Sequence, residues 1–176
     1  SDSNVLSIEK DVLVKLNQEM GGYGVEMVQA PKAWSSNYTG KNIKVGIIDT
    51  GVDLDHPDLR IKGGVSFTQE TDGYKGYDDY NGHGTHVAGV IGAKHNDIGV
   101  KGIAPNADIY AIKAFPASGL AYASVVIQGV DWAIKQNLDV LNMSIGFQEP
   151  VPALEVILKT AESKGMLLVA AAGNDG

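Results

Sequence analysis

The stretch Ile43-Lys44-Val45-Gly46-Ile47-Ile48, closed by Asp49-Thr50-Gly51, decides the fold. It is short, apolar and β-branched, with no alternation of polar residues. Such a run reads as a strand buried on both faces, as in a parallel sheet. Tyr110-Ala111-Ile112, Val140-Leu141-Asn142-Met143 and Met166-Leu167-Leu168-Val169-Ala170 read the same way. Helical patterns lie between them. Leu154, Ile157, Leu158 and Ala161 fall at i, i+3, i+4 and i+7, with Gly165 following as a C-terminal cap. Val126, Val130, Trp132 and Ile134 predict a second helix, ending near Asn137. Gly84 to Ala93 predicts a third, whose small residues let it pack close to a neighbour. This order predicts a three-layer α/β fold, a parallel sheet with helices on both faces. In such sheets sites form at the carboxyl ends of the strands. Residues 1–17 stand outside the alternation: Val5 to Val14 reads as one or two strands, and Gly21-Gly22 as a flexible joint.

Composition narrows the function. The 176 residues are 44% hydrophobic and 20% charged, enough to bury a core. Fourteen basic and 21 acidic residues give a net charge of −7 with no basic cluster, which argues against nucleic acid as a partner. No apolar run is long enough for a transmembrane helix, so no membrane partner is expected. Ser1-Asp2-Ser3-Asn4 is not a signal peptide, and a signal removed earlier leaves no trace. The absence of cysteine removes disulfides, thiol catalysis and cysteine-type zinc sites.

Four places carry chemistry. Asp49 ends a buried strand, where it either caps a turn or acts. Asp-Thr-Gly also follows an apolar strand in aspartic proteases, but those need two such carboxylates and an all-β fold. The second place is Asn81-Gly82-His83-Gly84-Thr85-His86-Val87-Ala88-Gly89. His83 sits at a predicted helix start between glycines. As a metal pair, His83 and His86 lack the intervening Glu of the zinc-protease helix and any nearby third ligand. His86 reads more simply as a structural histidine. The third is Ala172-Gly173-Asn174, either a plain turn or an amide donor held at a strand end for a developing oxyanion. The fourth is Asn142-Met143-Ser144-Ile145-Gly146. Ser144 lacks the Gly-x-Ser-x-Gly elbow, which leaves this stretch a backbone role. A nucleotide-binding α/β domain would need a glycine-rich phosphate loop after the first strand, and Ile48-Asp49-Thr50-Gly51-Val52-Asp53 has none.

Together these segments, in this order and spacing, resemble the subtilisin-like serine proteases, nearest the bacterial secreted enzymes. The resemblance covers residues 18–176. Asp-Thr-Gly alone is weak; His-Gly-Thr-His-Val-Ala-Gly is highly specific. The resemblance implies a serine endopeptidase in which Asp49 orients the imidazole, His83 is general base and then general acid, and Asn174 donates to the oxyanion. The family's nucleophilic serine lies in a Gly-Thr-Ser-Met-Ala-type motif well after the Gly-Asn turn, and no such motif occurs here. The expectation is therefore the N-terminal part of a catalytic domain, its sheet incomplete at the C-terminus. A C-terminal chain or segment would carry the serine; the alternative is an inactive fragment or a peptide-binding scaffold.

The same resemblance implies a calcium site. Its ligands would be the side chains of Asp58 and Asn96 and the carbonyls of Lys94, Ile98 and Val100, with a sixth ligand from Gln18 or Glu19. It likens residues 1–17 to the end of an inhibitory propeptide, the protein's own partner, with self-cleavage near Asn17-Gln18. It places an extended peptide substrate as a strand beside Gly119-Leu120-Ala121 and Ser144-Ile145-Gly146. Leu120-Ala121 and Phe147 replace smaller residues common in the family at this rim. A secreted, extracellular or envelope-associated protein is implied.

Overall fold

The computed structural model describes residues 20–21, 23–68, 76–146 and 151–172. The helix and strand runs read from residue 43 onward form within about three residues of where the sequence places them. Strand β1 spans Met20–Gly21, and helices α1 (Tyr23–Met27) and α2 (Ala30–Ser35) follow. Then come β2 (Lys44–Asp49), β3 (Ile61–Ser66), α3 (His83–Gly92), β4 (Val100–Lys101) and β5 (Asp108–Lys113). The remaining elements are α4 (Ala123–Lys135), β6 (Val140–Met143), α5 (Pro152–Ser163) and β7 (Leu167–Ala170). The strands expected within residues 5–14 lie outside the described residues.

Five strands form one parallel sheet in the order β3-β5-β2-β6-β7. Alternation along β2 sends neighbouring side chains to opposite faces. Ile47 joins Ala88 of α3, Ile109 and Ala111 on one side. Ile48 joins Val126, Val130 and Ala133 of α4, Leu154 and Ala161 of α5, and Ile112 on the other. Helices therefore cover both faces. Ile47, Ile48, Ile109, Ile112 and Leu141 are at most 1% exposed, and each such burial contributes about 1.5–3 kcal/mol.

Two helix ends close as their sequences direct. Gly165 takes φ 87° after α5, and Met166 N donates to Ala161 O at 3.2 Å. Asn137 takes φ 53° after α4, with Leu138 N donating to Ala133 O at 3.2 Å. Both are left-handed caps that satisfy the last carbonyls.

Three features differ from the sequence reading. β3 was not anticipated, because Gly63-Gly64 dilutes its apolar signal; Gly64 is needed there, since a Cβ would meet Ala111 O at 2.3 Å. The short helices α1 and α2 were not anticipated either. Gly21, read as part of a flexible joint, pairs with Lys101 in a two-residue parallel ladder.

The chain leaves β2 for β3 and β5 on one side, then crosses to β6 and β7 on the other. β2 is thus the switch strand. Asp49, the loop after β5 and the loop after β6 meet at one end of the sheet, where open α/β sheets bind ligands.

Candidate active site

His83 is the first residue of α3, and its placement begins with the helix's unpaired N–H groups. The first intrahelical bond runs from His86 N to Gly82 O at 3.0 Å. The three N–H groups before it each find a side-chain oxygen. His83 N donates to Asn81 Oδ1 at 3.2 Å, Gly84 N to Thr50 Oγ1 at 3.0 Å, and Thr85 N to Asp79 Oδ2 at 2.9 Å. The helix start is thereby tied to the turn after β2. Gly84 permits that approach: a Cβ there would lie 2.1 Å from Gly51 O.

Asp79 joins the two pieces. Thr50 Oγ1 donates to its Oδ1 at 2.9 Å, as do Asn81 N at 2.9 Å and Gly82 N at 3.0 Å. Thr85 Oγ1 donates to its Oδ2 at 2.6 Å. Burial works against the charge of Asp79, but the bonds from the Thr85 hydroxyl and from the Gly82, Asn81 and Thr85 N–H groups outweigh it. The carboxyl is held below its ordinary value of 3.8.

This frame brings Asp49 and His83 together. His83 Nδ1 lies 2.8 Å from Asp49 Oδ1 and 2.9 Å from Oδ2. Thr50 N also donates to Asp49 Oδ1, at 2.7 Å, which fixes the carboxylate plane. The Asp49 side chain is 3% exposed and that of His83 is 54% exposed. A carboxylate accepts and does not donate, so in the neutral ring Nδ1 carries the hydrogen and Nε2 the lone pair. Among the described residues no hydrogen bond engages Nε2. A buried acceptor thus orients an open imidazole, the geometry of a general base.

The pair borders a cleft of about 340 Å³ lined by Asp49, Thr50, Asn81, His83, Phe115, Gly119, Ser144, Ile145 and Gly146. The chain belongs to the subtilase family. The family's model matches residues 40–176. Subtilisin E of Bacillus subtilis strain 168 is 43% identical over 176 residues, which cover 99% of this chain and 45% of that protein. Minor extracellular protease Epr of the same organism is 45% identical over 176 residues, covering 100% of this chain and 26% of that protein. A subtilisin of Bacillus pumilus is 46% identical over 155 residues, covering 88% of this chain and 55% of that protein. The chain spans about half or less of the length of these relatives.

The cleft of this subtilase chain contains four of the six residues expected to bind substrate. Leu120 and Ala121 are not in its wall, and Leu120 stands 79% exposed. Ser144 Oγ accepts from Asn142 Nδ2 at 2.9 Å, and among the described residues no hydrogen bond joins it to His83. Asn174 and Phe147 lie outside the described residues, as do Gln18 and Glu19. Phe115 and Asp79 were not singled out from the sequence, and Asn81 stood in the stretch quoted around His83 without a role of its own. Asp79 left a signal there, an acidic residue just before a predicted helix start.

The expected calcium loop has a distinct geometry. Asp58 is buried, 4% exposed, and its Oδ1 has no hydrogen-bond partner among the described residues. Val100 N donates to Oδ2 at 3.4 Å. Gly99, at φ 62°, leaves open the space beside this carboxylate, where a Cβ would sit 2.4 Å from Oδ2. A buried carboxylate oxygen without a donor suits an oxygen-ligated cation. Among the described residues no three His, Cys, Asp or Glu side chains gather as a metal site, so a cation here would depend on carbonyls. Among the described residues no third His, Cys, Asp or Glu joins His83 and His86 as a metal set.

Proposed function

We propose that the protein of which this chain is part is a subtilisin-like serine endopeptidase. The observation that carries the reading is the contact of His83 Nδ1 with the buried Asp49 carboxylate at the wall of an open cleft. In this reading His83 Nε2 takes the proton of a serine hydroxyl as Oγ bonds to the scissile carbonyl carbon. It then returns that proton to the leaving amine as the peptide C–N bond breaks. Water repeats the sequence on the acyl-enzyme. Asp49 holds the ring and stabilises its charged form. Asn174 donates to the oxyanion. The serine belongs to a C-terminal chain or segment beyond residue 176. The substrate is a protein or peptide, laid as an added strand beside Gly119-Leu120-Ala121 and Ser144-Ile145-Gly146.

Residues 1–17 are the end of an inhibitory propeptide and residues 18–176 the N-terminal part of the catalytic domain. The family is generally calcium-binding. The side chains of Asp58 and Asn96 and the carbonyls of Lys94, Ile98 and Val100 would hold Ca2+ here, with Gln18 or Glu19 completing the set. Met20 pairs with Val100 of this loop, which supports that assignment. Bound calcium would supply structural cross-linking, not chemistry. Secretion is supported by the likeness to Minor extracellular protease Epr, and among the described residues no helix is long and apolar enough to cross a membrane.

Fluorophosphonate labelling of the native full-length protein tests the reading. Label on a serine C-terminal to residue 176, lost in His83→Ala, is the expected result. No label on well-folded protein would leave a peptide-binding scaffold instead.

A further inference from the structure

Lys113 is the largest fully buried side chain in the described protein, 1% exposed, and the proteolytic reading assigns it nothing. A buried ammonium is costly unless its hydrogens find acceptors. Lys113 closes β5 as the register partner of Asp49, which closes β2. Partners in a parallel pair rise from the same face, here the face covered by α3. Lys113 Nζ donates to Thr50 O at 2.8 Å and to Asp78 O at 3.1 Å. It also lies 5.4 Å from the centroid of the Tyr80 ring, within reach of a cation–π attraction. Thr50 follows Asp49 directly. Asp78 and Tyr80 belong to the segment that runs into His83.

Three pieces of chain therefore converge on one ammonium group: the end of β5, the turn after Asp49 and the approach to α3. We propose that Lys113 is a positioning residue for the Asp49–His83 pair, its ammonium pinning the Asp49 turn against the segment that delivers His83. Lysine suits the task because its compact head carries three donors that can point to separate carbonyls. An apolar replacement leaves the buried Thr50 carbonyl without that donor and loosens two segments that the Thr50–Asp79 and Val52–Tyr77 bonds still join. A shift of about 1 Å at a reacting group costs up to about a hundredfold in rate.

The inference rests on the proteolytic reading, and its test separates the two. The full-length, serine-bearing protein is compared with its Lys113→Met variant for peptide hydrolysis and for the far-downfield proton resonance of His83 Nδ1–H. That resonance is assigned by its disappearance in His83→Ala. The expected result is a kcat lower by about 10- to 100-fold, with KM little changed, because Lys113 is not among the residues that line the cleft. The resonance broadens or disappears. Unchanged kcat with the resonance intact overturns the inference. If the unsubstituted protein hydrolyses nothing, the proteolytic reading has failed, and the resonance still decides the role of Lys113. If the variant does not fold, the Lys113 ammonium protons of the unsubstituted protein are followed by nitrogen-edited NMR. Protection from water exchange is the expected result, and exchange as fast as at surface lysines overturns the inference.

Discussion

Replacing Asp79 by asparagine tests the frame that sets His83. The carboxylate receives three donors on Oδ1 and two on Oδ2. An asparagine keeps its carbonyl toward the three donors, so its NH2 group faces Thr85 N and the Thr85 hydroxyl. The hydroxyl can turn; the N–H cannot. One half-buried N–H is left without its acceptor, a cost of about 1–3 kcal/mol. The charge is lost as well, and with it the favourable interaction with the helix N-terminus, worth about 0.3–1 kcal/mol. The sum is about 1–4 kcal/mol at neutral pH. The carboxyl of Asp79 is held below its ordinary value, so its stabilisation is present above that value of 3.8 and is lost as pH falls through the lowered folded value. A protonated Asp79 resembles asparagine, so the gap between the proteins narrows on acidification. The assay is denaturant unfolding of the full-length protein, inhibited with a fluorophosphonate against self-digestion and read by tryptophan fluorescence across pH. A variant within about 0.5 kcal/mol of the unsubstituted protein at neutral pH, or a gap that widens toward acid, would refute the reasoning.

Three further outcomes follow from the same geometry. His83→Ala removes the proton carrier and lowers kcat by at least about 10²–10⁴-fold, while circular dichroism stays unchanged because the side chain is largely open to solvent. Gly84→Ala places a methyl group against Gly51 O; overpacking costs about 1–3 kcal/mol or more, and peptide hydrolysis drops with the melting temperature. Chelation of calcium lowers stability by about 2.7 kcal/mol relative to calcium at a hundred times its Kd; calorimetry of Asp58→Ala should show no calcium-dependent increment.

The sequence by itself determined the α/β architecture. A strand buried on both faces has no polar side to offer, so Ile47-Ile48, Ala111-Ile112 and Leu141 announce a parallel sheet wherever they pair. Helix periodicity and the caps at Asn137 and Gly165 are equally local, as is the motif around His83. Strand β3 escaped because its glycines answer to a tertiary need, the close passage of Ala111 and Tyr77. Only the tertiary structure decided that Asp49, 34 residues before His83 in the chain, would meet its ring at hydrogen-bond distance. It alone gave Asp79 and Lys113 their work. Both residues are polar groups whose partners lie on other segments, and no periodicity records which distant carbonyl or hydroxyl a side chain will face. Local sequence sets backbone conformation and which face is apolar; the pairing of buried polar groups is fixed only when segments distant in sequence pack and water is excluded from between them.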